Sequence, residues 1–266
     1  MIGARIMSVG LLGPGLAGWE SGQRVLDGSM AHTPADVAPP APAHLSARER
    51  RRTSHGVRLA LAVAQEAVDN SGANAKSLPT VLGWPHGDGP VMHRLLETLA
   101  TPERYVSPTD FHNSVHNVAV GYWTIASGSH QPCSSIAAGE GTFPASLLKA
   151  LMEVECEKRR VLLIVCSMPF PEPLNTACPV GDSFGAAFVL APADDKGGLA
   201  RMTARYRTDG SLAATKPETA GLQPLWQTNA AARSLPLLEC VARRNKARIA
   251  IPYGPRGWLE LAVTPC

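Results

Sequence analysis

Gly128-Ser-His-Gln-Pro-Cys-Ser-Ser-Ile-Ala-Ala-Gly-Glu-Gly-Thr-Phe143, with the helical pattern that follows it to about Glu157, decides how this chain folds. It reads as a strand, a tight Gly/Ala turn and a helix, with the acidic Glu140 where the helix should begin. A strand-turn-helix of this kind holds one side chain out at the positive end of a helix, which is how several enzyme families display a nucleophile. Here the displayed side chain is a carboxylate. Glu140 therefore has two readings, a group for binding or catalysis, or a carboxylate that caps the helix and does no chemistry.

Downstream, Arg160-Val-Leu-Leu-Ile-Val-Cys166 is a continuous apolar run of the kind found in strands buried on both faces, so the opening element extends to a strand-helix-strand unit. Asp182 to Ala191 is another buried strand with small residues. Upstream, the second half of 107–128 is small and apolar, which predicts a closely packed helix. Thr80 to Trp84 reads as a short strand, and Pro90 starts a helix to about Ala100. Arg5 to Leu12 reads as a strand that ends in Gly13-Pro14-Gly15, with a short helix from Trp19 to Leu26. Residues 29–44 form a Pro/Ala-rich surface loop, and Ser46-Ala-Arg-Glu49 has the form of a capping box that opens one long helix up to Gly72. Beyond 195 the pattern weakens. Strands are expected at Leu199 to Arg207, Arg248 to Ile251 and Trp258 to Val263, a helix at Leu235 to Arg243, and irregular chain from Ser211 to Gln227.

The chain has 266 residues, 45% of them apolar and 18% charged, which suits a globular α/β domain with a sizeable core; 24 Gly and 23 Pro point to irregular loops. A net charge of +3, with basic residues scattered except for Arg48 to Arg52, gives no case for a nucleic-acid partner. No segment approaches the ~20 apolar residues of a membrane helix. Six cysteines occur singly, without metal-ligand spacing, which fits buried thiols in a reducing, cytoplasmic setting, and no cofactor or metal motif is present.

His112 and His116 are four apart and would share one face of a helix, but no third ligand sits at a recognisable spacing, so hydrogen bonding or a polar cavity wall is preferred to metal binding. Gly87-Asp-Gly89 lacks the rest of a phosphate loop and reads as a turn. Cys133 lies seven residues before Glu140 and reads as a buried, inert thiol. All eight histidines lie at or before His130, so a mechanism that needs a downstream histidine cannot be built within this sequence.

With these residues in place, the chain resembles the N-terminal half of β-ketoacyl synthases, the condensing enzymes of fatty-acid and polyketide synthesis. Asn117-Val-Ala-Val-Gly-Tyr-Trp-Thr-Ile-Ala-Ser-Gly128 is similar to the family's Asn-x-Ala-x-x-x-x-Ser-Ile-x-x-Gly helix, Pro132 to the proline that begins its nucleophile strand, and Gly181 to Leu190 to the Gly-Glu-Gly-Ala-Gly-Ala strand. Eight residues on from Pro132, where the family has its active cysteine, stands Glu140. Phe111-His-Asn-Ser-Val-His-Asn117 and Pro171-Glu-Pro173 resemble the short ketosynthase-like, chain-length-factor-like proteins of aryl-polyene and xanthomonadin-type pigment clusters.

The resemblance implies a thiolase-like half, a mixed sheet with helices on both faces and a truncated second half. Residues 1–266 would form one domain, with 1–195 the ketosynthase-like core and 196–266 a reduced extension of short strands and one helix. It implies a cavity lined by Phe111, His112, His116, Asn117, Glu140, Thr142 and Phe143. It also implies a subunit that does not condense by itself, since an ionised carboxylate is a poor substitute for a thiolate. The helix after Glu140 is apolar on most faces and needs a cover, either a small second sheet from 199–264 or a partner. The expected partners are a full-length ketosynthase, a second copy of the chain, or both, together with an acyl carrier protein. Two other readings stay open. In one, Glu140 and His112 or His116 act as acid and base on acyl or malonyl thioesters. In the other, the chain is a scaffold that binds carrier proteins through Arg50 to Arg52.

Overall fold

The computed structural model describes residues 2–208, 212–255 and 257–266. Ser211, the first residue of the expected irregular segment, lies outside them. The first strand, β1 (Ile2–Gly13), turns back through β2 (Leu16–Ala17) into helix α1 (Trp19–Leu26). The Pro/Ala-rich segment then crosses the surface to α2 (Ala47–Arg52) and α3 (His55–Ser71).

The long helix expected from Ser46 is two helices, because the chain caps twice. Ser46 Oγ accepts from Glu49 N at 3.2 Å, Thr53 is extended, and Ser54 Oγ accepts from Val57 N at 3.2 Å. Gly72 ends α3 in the left-handed region at φ 62°, where glycine meets no Cβ penalty.

Next come β3 (Thr80–Gly83), α4 (Gly89–Ala100), α5 (Pro108–Asn113), α6 (Val118–Ser127), β4 (Cys133–Ile136) and α7 (Thr142–Glu157). They are followed by β5 (Val161–Ser167), the short α8 (Leu174–Ala177) and β6 (Phe184–Pro192). The strands form one sheet, in which β4 and β5 both run parallel to β3, so that α7 carries the chain from β4 over β3 to β5. The remaining neighbours are antiparallel: β5 with β6, and β6 with β1. The sheet is therefore mixed, as expected, but more antiparallel than parallel.

The segment after 195 differs most from expectation. It supplies β7 (Ala200–Arg207), α9 (Gln223–Thr228), α10 (Leu235–Ala242), β8 (Ala247–Pro252) and β9 (Trp258–Pro265), so two helices rather than one among the described residues. Its strands build no second sheet. They continue the first in the order β4-β3-β5-β6-β1-β7-β9-β8.

Two apolar clusters lie on opposite faces of the sheet. One holds α1, α7 and α10 against the strands, and the other holds α3 and α6. The apolar face of α7 is thus covered by the chain itself: Phe143, Leu147, Ala150, Leu151 and Val154 have no exposed surface. Phe143, Leu147, Leu151 and Val154 each contribute about 1.5–3 kcal/mol by leaving water. Of the two covers expected, the chain's own 199–264 segment supplies this one, through the region around α10 rather than through a second sheet; Leu148 is half-buried and Met152 exposed.

Thiol burial also departs from the sequence reading. Cys133 begins the edge strand β4 and is exposed, as are Cys156, Cys178 and Cys266; Cys166 and Cys240 are buried. Burial pushes the Cys166 thiol far up and the Cys240 thiol up to about 11. A thiol titration of the folded protein is expected to count four fast cysteines, with the other two reacting only in denaturant. Six fast thiols would contradict this packing.

Candidate functional site

The strand-turn-helix element forms, with its parts shifted by two residues. β4 ends at Ile136, Gly139–Gly141 makes one tight turn with Gly139 at φ 53°, and α7 starts at Thr142. The turn is tied by Thr142, whose hydroxyl donates to Gly139 O at 2.7 Å and accepts from Ala138 N at 3.1 Å. Thr142 is consequently fully buried, and so is Phe143, which packs against Phe188 in the core. Neither has surface with which to line a cavity.

Glu140 sits before the helix N-cap, Gly141, and makes no capping bond. The capping reading is replaced by an ion pair. Glu140 Oε2 accepts from Arg233 Nη2 at 2.8 Å, with the carboxylate 67% exposed and the arginine side chain 17% exposed. The same Nη2 donates to Gln227 O at 3.2 Å, and the guanidinium lies 4.5 Å from the ring centroid of Trp226. Arg233 is fixed from two sides by the α9 region, and Glu140 comes to it.

Around this pair is a cavity of about 470 Å³ walled by Ala138, Gly141, Pro252, Tyr253 and Pro255. It shares Tyr253, Gly254 and Pro255 with a neighbouring, mainly apolar groove of about 780 Å³ that reaches Leu148 and Tyr206. Tyr253, which lines both, meets Tyr206 of the larger groove edge to face at 5.7 Å between centroids.

The two histidines belong elsewhere. α5 ends at Asn113, so His112 and His116 do not share a helix face. The His116 ring nitrogen Nε2 is 2.6 Å from Trp84 O, and His112 stands edge-on to Tyr122 at 5.7 Å. Phe111, His112 and Asn117 are exposed. No histidine lines the cavity at Glu140. Among the described residues, no group of three or more His, Cys, Asp or Glu could hold a metal ion.

Sequence reasoning missed Arg233, Trp226 and Tyr253, which lie in the weakly patterned C-terminal segment and meet the elbow only through the fold. An exposed ion pair is worth roughly 0–1 kcal/mol. Glu140→Gln is therefore expected to leave the denaturation midpoint almost unchanged; a loss of several kcal/mol would show that the pair is structural.

Residues 19–258 match the family model described as beta-ketoacyl synthase, N-terminal domain. The chain belongs to that family. Similar solved structures include the ketosynthase ApeO in complex with its chain length factor ApeC from Xenorhabdus doucetiae, at TM-score 0.73 and 19% identity, over 98% of this chain and 100% of that one. Another is the AntDE:AntF structure, a type II polyketide synthase acyl-carrier protein in complex with its ketosynthase bound to the hexaketide, at TM-score 0.73 and 10% identity over 100% and 99%. The ishigamide ketosynthase/chain length factor is similar at TM-score 0.69 and 14% identity over 100% and 99%. No curated protein matches the sequence. These likenesses establish a thiolase-like ketosynthase fold. Among the described residues, no helix of this ketosynthase-family chain is long and apolar enough to cross a membrane.

Proposed function

We propose that this ketosynthase-family chain is a chain-length-factor-like subunit of fatty-acid or polyketide-type synthesis, of the aryl-polyene pigment kind, that pairs with an active ketosynthase and does not condense by itself. The observation that carries this reading is the elbow. Where the family displays a thiolate, this chain displays a carboxylate already engaged by Arg233, and no cysteine lines the cavity there. Claisen condensation needs a sulfur to carry the acyl chain as a thioester and hydrogen-bond donors for the enolate oxygen. Glu140 supplies neither.

Two surfaces support a partner. Among the described residues, β4 pairs on one side with β3 and nothing pairs with its other edge, which suits strand pairing with another chain. Exposed Phe111 and Val115 near α5, with Ile125 on α6, add apolar area of the kind that marks protein contacts. The groove past Tyr253 supports a role in shaping the space for an elongated apolar chain carried by an acyl carrier protein.

Co-expression with an active ketosynthase of the same synthesis, followed by size exclusion and an acyl-carrier-protein extension assay, tests the proposal. The two proteins are expected to co-elute, and product length is expected to change when this chain is withheld. Separate elution, or condensation by this chain alone, overturns it.

A further inference from the structure

Arg233 carries more hydrogen-bonding capacity than the chain uses. Its Nη2 donates to Glu140 and to Gln227 O, while Nε and Nη1 make no hydrogen bond. Neither is among the buried polar atoms that lack a partner, so both reach the surface around the side chain. Glu140 in turn engages the guanidinium through Oε2 alone. A guanidinium is charged at any ordinary pH and matches a carboxylate best through two parallel bonds, one more than Glu140 makes. The group is also held ready, with Gln227 O on one nitrogen and the Trp226 ring 4.5 Å from its carbon.

The surroundings restrict what else can come to it. Among the described residues, Arg233 is the one cation in the wall of the 470 Å³ cavity, and apart from Glu140 the rest of that wall is Ala, Gly, Pro and Tyr253. The adjoining groove adds Leu148, Tyr206 and Thr208, with no charged side chain among the described residues. One guanidinium balances one negative charge. A phosphate, with nearly two at neutral pH, finds no second cation here. The exposed Glu140 carboxylate contributes little as an ion pair, so an incoming anion displaces it into water at small cost.

We infer that the elbow binds a free carboxylic acid with an apolar chain. The ligand's carboxylate takes the place of Glu140 on Arg233, gains the second bond from Nε or Nη1, and sends its chain past Tyr253 into the groove. No covalent bond is made or broken. The inference rests on the reading of the elbow given above and names the ligand class of that site.

Octanoate is a suitable probe, with octan-1-ol as its neutral counterpart, octylamine as the cation, octyl phosphate as the dianion and acetate as the acid without a chain. Calorimetric titration of the isolated chain at neutral pH is expected to show saturable binding of octanoate, with the other four roughly tenfold weaker or more. Glu140→Gln is expected to bind octanoate several-fold more tightly, because the competing carboxylate is gone, and Arg233→Gln is expected to lose binding. Adsorption on apolar surface alone gives no such opposite response. Absence of saturable octanoate binding overturns the inference, as does equal binding of octan-1-ol or octyl phosphate, or unchanged or weaker binding in Glu140→Gln. If Arg233→Gln fails to fold, Glu140→Gln decides, since loss of an exposed pair leaves the fold in place. Failure of octanoate to bind while the chain still co-elutes with a ketosynthase removes the ligand and leaves the proposed function; separate elution with octanoate binding intact does the reverse.

Discussion

Gly10→Ala is expected to destroy the stability of this protein, because β1 and α3 touch backbone to backbone at that point. A Cβ on Gly10 would stand 2.0 Å from Val63 O and 2.9 Å from Ala67 N, where ordinary contacts begin near 3.4 Å. Neither neighbour is a side chain that can swing aside. Ser8 Oγ pins the same two elements by donating to Ala67 O at 2.5 Å, and β1 is held in the sheet by both β6 and β7. Relief requires the helix to lift from the strand and open the cluster that contains Leu59, Val63 and Ala67. Overpacking of a core costs roughly 1–3 kcal/mol when side chains can adjust. This case lies at or beyond the top of that range, since only backbone can yield. Urea denaturation measures it directly, and a midpoint within experimental error of the native protein would refute the close contact.

Asn229→Ala is expected to be the next most costly change, and it reaches the elbow from a distance. Asn229 has no exposed surface. Its side-chain amide donates to Asp182 O at 2.9 Å, and its Oδ1 accepts from Ala231 N at 2.9 Å and from Ala232 N at 3.1 Å. One side chain thus ties the approach to β6 to the turn that presents Arg233. Removing it leaves the Asp182 carbonyl and two backbone N–H groups without this partner, at about 1–3 kcal/mol for each group that water cannot reach. A net loss of about 2–4 kcal/mol follows once the site relaxes. Freed of its anchor, Arg233 is expected to leave Glu140, which NMR of the arginine side chains can follow. A loss below about 1 kcal/mol would mean that apolar contacts alone hold this segment, and would remove the link to the elbow.

The parts of the fold that were legible in the sequence share one property. In β5 and β6 every residue but a terminal proline is buried, so a continuous apolar run identifies them without knowledge of their neighbours. The elbow was legible for a similar local reason, since glycines before a helical pattern define a turn. Other features depended on partners that no local pattern records. Thr53 breaks the helix after Arg52 because Ser54 offers a second cap, a competition between two adjacent local signals. Cys133 is exposed because nothing among the described residues pairs with the outer edge of β4, a fact of sheet order. Arg233 lies 93 residues from Glu140, beyond any periodicity that could connect them.

The strand order has a consequence for how the molecule is made. β1 lies between β6 and β7, so both of its long neighbours are synthesised well over a hundred residues later. As the chain leaves the ribosome, β1 exposes unpaired backbone and Ile6, Val9 and Leu11 until residue 192 has emerged. The sheet cannot grow outward from its first strand as a hairpin array does; it closes around that strand near the end. Loop-closure entropy makes such distant pairings slow, and an open strand edge in the meantime is a template for association with other chains. The yield of soluble protein is set during that interval, by whatever occupies the edges of β1 before β6 arrives.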